Sequence, residues 1–376
     1  MKIFPLNIHK INKALLFRSI KFIALVILYC LPLDAKESVL EANHGGRDYF
    51  YKALSETPGD ILIGSFKLNP SLMPDPELIQ ILGDRTQANQ TTVLLESRLT
   101  PEEIRGNILF SAHDSLHKFL QTHAQILANI KSYTNVHVKV LIAPTFALIG
   151  TTNYDGTYEE CISRDFTALI ENPLLLKELH DIFHLIEQGV PVNWTPYMYS
   201  VKDIEEGATR LTWGPTQHYA HLIEMIESAQ YDISIYQQDL QDRGIIKALE
   251  DKLTQGLEVR ILMSHHPFGP KASNKSLSNL KKLVQAGAHV RLTGHNKLIQ
   301  YGLPLHIHAK VLLIDRHTKP LMYLGSANFY EAVLDPKERN LNLGLITRSH
   351  DYIDSVKAYF EEDWLSHSDQ SLKIDA

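Results

Sequence analysis

The sequence predicts an α/β fold in two similar halves, each a sheet covered by helices. Three observations carry that expectation. Short apolar runs bounded by turn residues alternate with segments whose apolar side chains recur at helical spacing. The chain has 376 residues, 44% of them hydrophobic, enough for a large core and two or three domains of about 150 residues. One pattern also occurs twice. His137-Val138-Lys139 and His308-Ala309-Lys310 stand 171 positions apart, and Gly150-Thr151-Thr152-Asn153 and Gly325-Ser326-Ala327-Asn328 stand 175 apart. Two matched spacings mark an internal repeat.

In chain order, residues 60–66 read as a strand, 74–82 as a short helix and 91–96 as a second strand. Leu116, Phe119, Leu120, His123, Leu127 and Ile130 fall at helical spacing and predict a helix over 116–131. Strands follow at 136–143, 146–150 and 165–171. A helix over 173–188 has Asn172 as its cap, Pro173 in its first turn and Gly189 after its end. The Pro- and aromatic-rich run 191–199 reads as a linker, with its Trp and Tyr side chains packing between domains. The pattern then restarts with helices at 215–229, 243–255, 276–285 and 351–363. Strands accompany them at 232–236, 257–263, 289–293, 308–314, 321–324 and 341–347. Residues 45–192 and 200–376 are thus the expected halves.

The first 35 residues stand apart. Lys2, Lys10, Lys13, Arg18 and Lys21 precede a twelve-residue apolar core, Phe22 to Leu33. This reads as a secretory signal peptide, since a membrane span needs about 20 apolar residues. The expected location is secreted or periplasmic, the alternative an uncleaved N-terminal membrane anchor. Five of the 37 cations and one of the 43 acids lie in this segment, so its removal takes the net charge from -6 to -10. An acidic chain is poorly suited to non-specific nucleic-acid binding, which rests on Lys and Arg meeting phosphates. Of two cysteines only Cys161 lies beyond the segment, which excludes an intrachain disulfide and a cysteine metal site in the processed chain.

The chemistry concentrates on the repeated motif. Side chains alternate along a strand, so His308 and Lys310 share a face, and Asp315 is expected past a bend. Of four His-x-Lys pairs, those at 137 and 308 open apolar runs followed by the Gly-Ser/Thr-x-Asn turn. The pairs at 295 and 317 lie in polar sequence. A Lys deep in an apolar run is costly to bury without a partner, so a core strand with a satisfied His is the weaker reading. His306 makes a His-x-His pair with His308, but no third ligand has suitable spacing for zinc, and it reads as pocket lining. The His265-His266 loop reads as site rim.

His-x-Lys-x4-Asp followed by Gly-Ser-x-Asn, whole in the second half and partial in the first, resembles the phospholipase D superfamily. The resemblance covers about 45–376. It implies two halves, each with a mixed sheet between helices, whose His-x-Lys strands meet at one shared active site. It implies phosphodiester hydrolysis or transfer without a metal or other cofactor. One histidine attacks phosphorus to form a phosphohistidine and the other protonates the leaving oxygen. His137 is the expected nucleophile and His308 the general acid, the reverse staying open. Asp315 is expected to orient His137. Lys139, Lys310, Asn153 and Asn328 would bind phosphate oxygens, supported by the hydroxyls of Thr151 and Ser326.

The first copy departs from the pattern, with Pro144 where Asp is expected. Asp165-Phe166-Thr167 and Asn340-Leu341-Asn342 stand where Asn-x-Glu often follows, so a usual carboxylate is missing at each place. The expected substrate is phospholipid, with transient contact to a membrane surface. Nucleic acid is the alternative, and a binding protein without turnover the non-enzyme rival. A monomer suffices for the site.

Overall fold

The structure, a computed structural model, describes residues 38–41, 47–65, 81, 84–85, 88, 91–96, 130–133, 136–153, 163–214, 216–264, 274–293, 306–329, 340–366 and 372. Residues 37–376 form one compact unit. It contains two seven-stranded mixed sheets and a two-stranded one.

The first sheet comprises β1 (Ser38–Glu41), β2 (Ile61–Ser65), β3 (Thr91–Glu96), β4 (Ile130–Tyr133), β5 (Lys139–Ile142), β6 (Ala147–Gly150) and β8 (Phe166–Ile170), in the order β1-β8-β6-β5-β2-β3-β4. The second comprises β9 (Thr209–Trp213), β10 (Asp232–Gln237), β11 (Glu258–Ser264), β12 (His289–Thr293), β14 (Val311–Ile314), β15 (Leu321–Gly325) and β16 (Leu343–Thr347), in the order β9-β16-β15-β14-β10-β11-β12. The two orders correspond strand for strand. In both sheets the last three strands run parallel and every other pairing is antiparallel.

Helices α1 (Arg47–Glu56) and α3 (His218–Ser228) join the edge strands β1 and β9 to the next strands in sequence, β2 and β10. α2 (Pro173–Glu187) follows β8, α4 (Arg243–Thr254) and α5 (Asn274–Gln285) flank β11, and α6 (His350–Ser366) follows β16. Local chemistry sets their ends. Asn172 Oδ1 accepts from the backbone N–H of Leu174 and Leu175 at the start of α2, and Gly189, at φ 68°, follows its C-terminus. Asp242 caps α4 by accepting from Ile245 N.

β5 and β14 are buried on both faces, which explains their unbroken apolar sequence. Val140 and Ile142 of β5, and Val311 and Leu313 of β14, share one central core with Phe183 of α2 and Val356 and Phe360 of α6. Leu141 faces a second core with Phe50 and Leu54 of α1, and Leu312 and Ile314 a third with α3 and α4. The central core contains residues of both halves, so the sheets are joined by packing.

Backbone pairing joins them as well. β7 (Ser163–Arg164) pairs in parallel with β13 (His306–Ile307), and Val136 bridges Leu341. The chain entering each His-x-Lys motif therefore pairs with the other half before it enters its own sheet. This corrects one expectation: His137 and His308 sit at the step between two pairings, just outside strands predicted to contain them. Among the other described elements, β4 overturns the end of the 116–131 helix, because Ile130–Tyr133 extends the parallel ladder beside β3. The rest of that helix lies outside the described residues, as do the 74–82 helix except at position 81 and the 265–270 loop. β1, β7, β9, β13 and α1 were not anticipated. β1 and β9 are edge strands, and β7 and β13 have two residues each.

A buried ion pair crosses the halves beside these pairings. Arg164 donates from Nε and Nη2 to the two oxygens of Asp363 on α6, at 2.7 and 2.8 Å, and Tyr236 Oη donates to the same carboxylate at 2.5 Å. Removing one partner of a buried pair strands the other charge, at a cost of about 3–5 kcal/mol. Asp363→Ala is expected to lower the melting temperature by roughly 10 °C in a thermal scan.

Candidate active site

The motif histidines are oriented by each other's half. His308 Nδ1 lies 2.9 Å from Asp165 Oδ1, and His137 Nδ1 lies 3.0 Å from Asn342 Oδ1. The backbone repeats the exchange: His308 N and Ala309 N donate to Arg164 O, and His137 N donates to Leu341 O. Within each motif the lysine turns back on the histidine, Lys139 Nζ donating to His137 O at 2.9 Å and Lys310 Nζ to His308 O. Both lysines are fully buried.

The Gly turns hold the orienting groups. Thr151 Oγ1 donates to Asp165 Oδ1 at 2.5 Å and accepts from Phe166 N at 3.0 Å. Ser326 Oγ donates to Asn342 Oδ1 at 3.1 Å and accepts from Leu343 N at 3.1 Å. Asp165 therefore corresponds to Asn342, not to Asn340. The second copy carries two more residues between its turn asparagine and this position. The expectation that a carboxylate is missing from both copies is thereby corrected, because the first half keeps one. Thr151 and Ser326 are also corrected: their only hydroxyl protons go to Asp165 and Asn342, so they position those groups and do not contact phosphate.

Asp315 does not orient His137. It stands beyond the far end of β14 from His308, at φ 52°, and its Oδ1 accepts from Gln230 N and Tyr231 N at 2.9 and 2.8 Å. It anchors the loop between α3 and β10. The corresponding Pro144 lies beside Gly59, where an added Cβ would meet Pro144 Cγ at 3.5 Å, in the loop between α1 and β2. The proline thus changes a loop anchor and leaves the histidines untouched. Asn153 and Asn328 occupy matching places after their turns, and their buried side-chain oxygens have no hydrogen-bond partner among the described residues. An unmet buried polar atom costs about 1–3 kcal/mol.

Electrostatics separates the two imidazoles. Burial holds His137 well below the usual imidazole range, Lys139, Lys310 and His308 push the same way, and the Asn342 hydrogen bond opposes them. Burial also lowers His308, to about 4, with Asp165 opposing and Lys310 assisting. Burial would raise Asp165, but His308, Lys310 and Thr151 outweigh it and hold the carboxyl at about 2. Lys310 falls to about 7, through burial opposed by Asp165. Charges from each half act on the histidine of the other, so both motifs address one site. Asp165, ionised and able only to accept, makes His308 Nδ1 the donor and points Nε2 elsewhere. Asn342 Oδ1 does the same for His137 without a charge. Among the described residues no three His, Cys, Asp or Glu side chains gather where a metal ion would sit.

The family described as cardiolipin synthase, PLD-like domain, matches residues 222–364, which include His308, Lys310, Asn328 and Asn342. The second half of the chain is thus similar to this PLD-like domain family. Over the whole chain the likeness is one of fold. The phosphatidylserine synthase of Haemophilus influenzae Rd KW20 superposes on 90% of this chain and 87% of its own, with TM-score 0.62 and 13% identity. The polyphosphate kinase of Porphyromonas gingivalis superposes on 90% of this chain, with TM-score 0.59 and 14% identity. Only 48% of that kinase is covered, so this chain spans about half its length. The phospholipase D family member Nuc from Salmonella typhimurium aligns with 45% of this chain and 99% of its own, at 17% identity and TM-score 0.35. No curated protein matches the sequence.

Asp165 and Asn342 are the residues that sequence reasoning undervalued. The usable signal was their distance from the turn hydroxyl, hidden by the unequal loops. Two outcomes follow. Asp315→Ala is expected to lower the melting temperature by several degrees yet keep the sulfate affinity of the folded protein at 20 °C. Sulfate affinity, measured calorimetrically, is expected to fall as pH rises from 5 to 8. Lys310 is protonated below about 7 and loses the charge that attracts the anion above it.

Proposed function

We propose that the protein cleaves phosphodiesters through a phosphohistidine on His137, with His308 as the acid–base partner and phospholipid as the substrate class. The observation that carries this is the exchange of Nδ1 partners. It leaves both Nε2 atoms available to a substrate, one ring beside a carboxylate and one beside a neutral amide. The neutral partner and the two lysines favour uncharged His137, whose Nε2 lone pair attacks phosphorus. The Asp165 carboxylate favours protonated His308, which delivers its proton to the departing oxygen.

An entering phosphodiester anion offsets the lysine charges that depress His308 and raises its affinity for that proton. Lys139, Lys310, Asn153 and Asn328 hold the non-bridging oxygens. The lysine charges matter most in the transition state, when the phosphoryl oxygens move toward the attacking ring. His308, now neutral, then takes a proton from water or an alcohol, which attacks phosphorus and frees His137. Every proton is thereby returned. The family model's description as a cardiolipin synthase type, and the chain's net charge of -6, support lipid over duplex DNA. The apolar leader supports export, which N-terminal sequencing of the mature protein tests.

The decisive experiment is a rapid acid-free quench with phosphorus-labelled substrate, followed by peptide mapping. The label is expected on His137, and label on His308 reverses the two roles. Parallel incubations with phosphatidylcholine vesicles and with plasmid, in chelator, are expected to release choline and leave DNA intact. DNA cleavage without choline release would move the substrate class to nucleic acid.

A further inference from the structure

A third histidine stands in the same site, and the two-fold repeat does not require it. His306 lies on β13, two residues before His308, and the two rings are stacked at 6.3 Å with an interplanar angle of 25°. Its Nδ1 is 3.2 Å from Ser264 Oγ at the end of β11. The same serine oxygen accepts from Ile307 N at 2.7 Å, so it fixes both the backbone and the ring of this short strand. All three imidazoles therefore have Nδ1 engaged. His306 Nε2 has no hydrogen-bond partner among the described residues, and the side chain is only partly buried. Asp165 and Lys310 both act on its titration, as they act on His308. The residue two before His137 in the other copy is Asn135, so the third imidazole belongs to one side of the site alone.

That side is fixed by chemistry. His308 serves the oxygen that leaves phosphorus and later the oxygen that replaces it. A ring stacked on His308, with one nitrogen uncommitted, is placed to hold that oxygen's substituent and not the phosphoryl oxygens bound by the lysines. We propose that His306 is a substrate-contacting residue that hydrogen-bonds the alcohol portion of the diester, the head group of a phospholipid, and then the incoming acceptor hydroxyl or water. This rests on the proposed role of His308 as acid–base partner. His306 changes no bond; it orients the oxygen that His308 protonates and deprotonates.

The test uses the full chain and two variants, His306→Asn, which installs the residue of the first copy, and His306→Gln, which keeps a longer donor and acceptor. Three readouts are taken: phosphoenzyme formation by rapid quench on whichever of phosphatidylcholine vesicles or plasmid is turned over, kcat/KM on that substrate, and sulfate affinity by calorimetry. For His306→Asn, kcat/KM is expected to fall about tenfold, the value of one hydrogen bond. Sulfate affinity is expected to stay the same, and His306→Gln to recover part of the loss. Unchanged kcat/KM in both variants overturns the inference. So does a parallel loss of sulfate affinity, which would place His306 on the phosphoryl oxygens. A wild-type chain that forms no phosphoenzyme on either substrate overturns the reading beneath it; one that forms it while the variants match it overturns this inference alone.

Discussion

The hydrogen bond from each histidine to an acceptor in the opposite half is the constraint on which the rest of the site depends. A neutral imidazole has two tautomers of similar energy, and only one leaves Nε2 available to a substrate. Asp165 and Asn342 remove that choice at 2.9 and 3.0 Å. They can do so only because the backbone beside them is already paired across the halves, through β7 with β13 and Val136 with Leu341. Arg164 shows how closely support and chemistry are interleaved. Its carbonyl receives His308 N, its side chain reaches Asp363 on α6, and its neighbour in sequence is Asp165.

Burial sets the character of the groups so held. Lys139 and Lys310 would be expensive in an apolar core without partners, and each bonds the carbonyl of its own motif histidine. The pair depresses both imidazoles, which suits attack but not proton delivery. The Asp165 carboxylate opposes this at His308, whereas Asn342 at His137 cannot carry a charge. Two halves of matching strand order thus hold two unlike histidines, one beside Asp165 and one beside Asn342 at the equivalent position.

Much of the fold was legible in the sequence because the strands nearest the motifs are short, apolar and bounded by turns. β3 and β12 fall at the expected residues, and most of the other anticipated elements agree within two or three positions. What was not legible depends on partners distant in sequence. A two-residue strand such as β13 has no periodicity of its own and exists through its ladder with β7. The placement of His137, Lys139, His308 and Lys310 could be read from the repeat. The loop-anchoring role of Asp315 could not, since a carboxylate seven residues from a histidine looks catalytic until its acceptors of backbone N–H, at Gln230 and Tyr231, are seen. Asp165 was visible as a residue but misaligned by two, because loops of unequal length precede the equivalent positions.

The crossed orientation also bears on ancestry. Neither half contains its own motif histidine together with the acceptor that fixes its tautomer. A single copy would have to dimerise with itself to complete even one such pair, whereas two copies in one chain make that encounter intramolecular. Two copies in one chain can also differ in sequence, so that one ring meets a carboxylate and the other an amide on sheets of the same strand order.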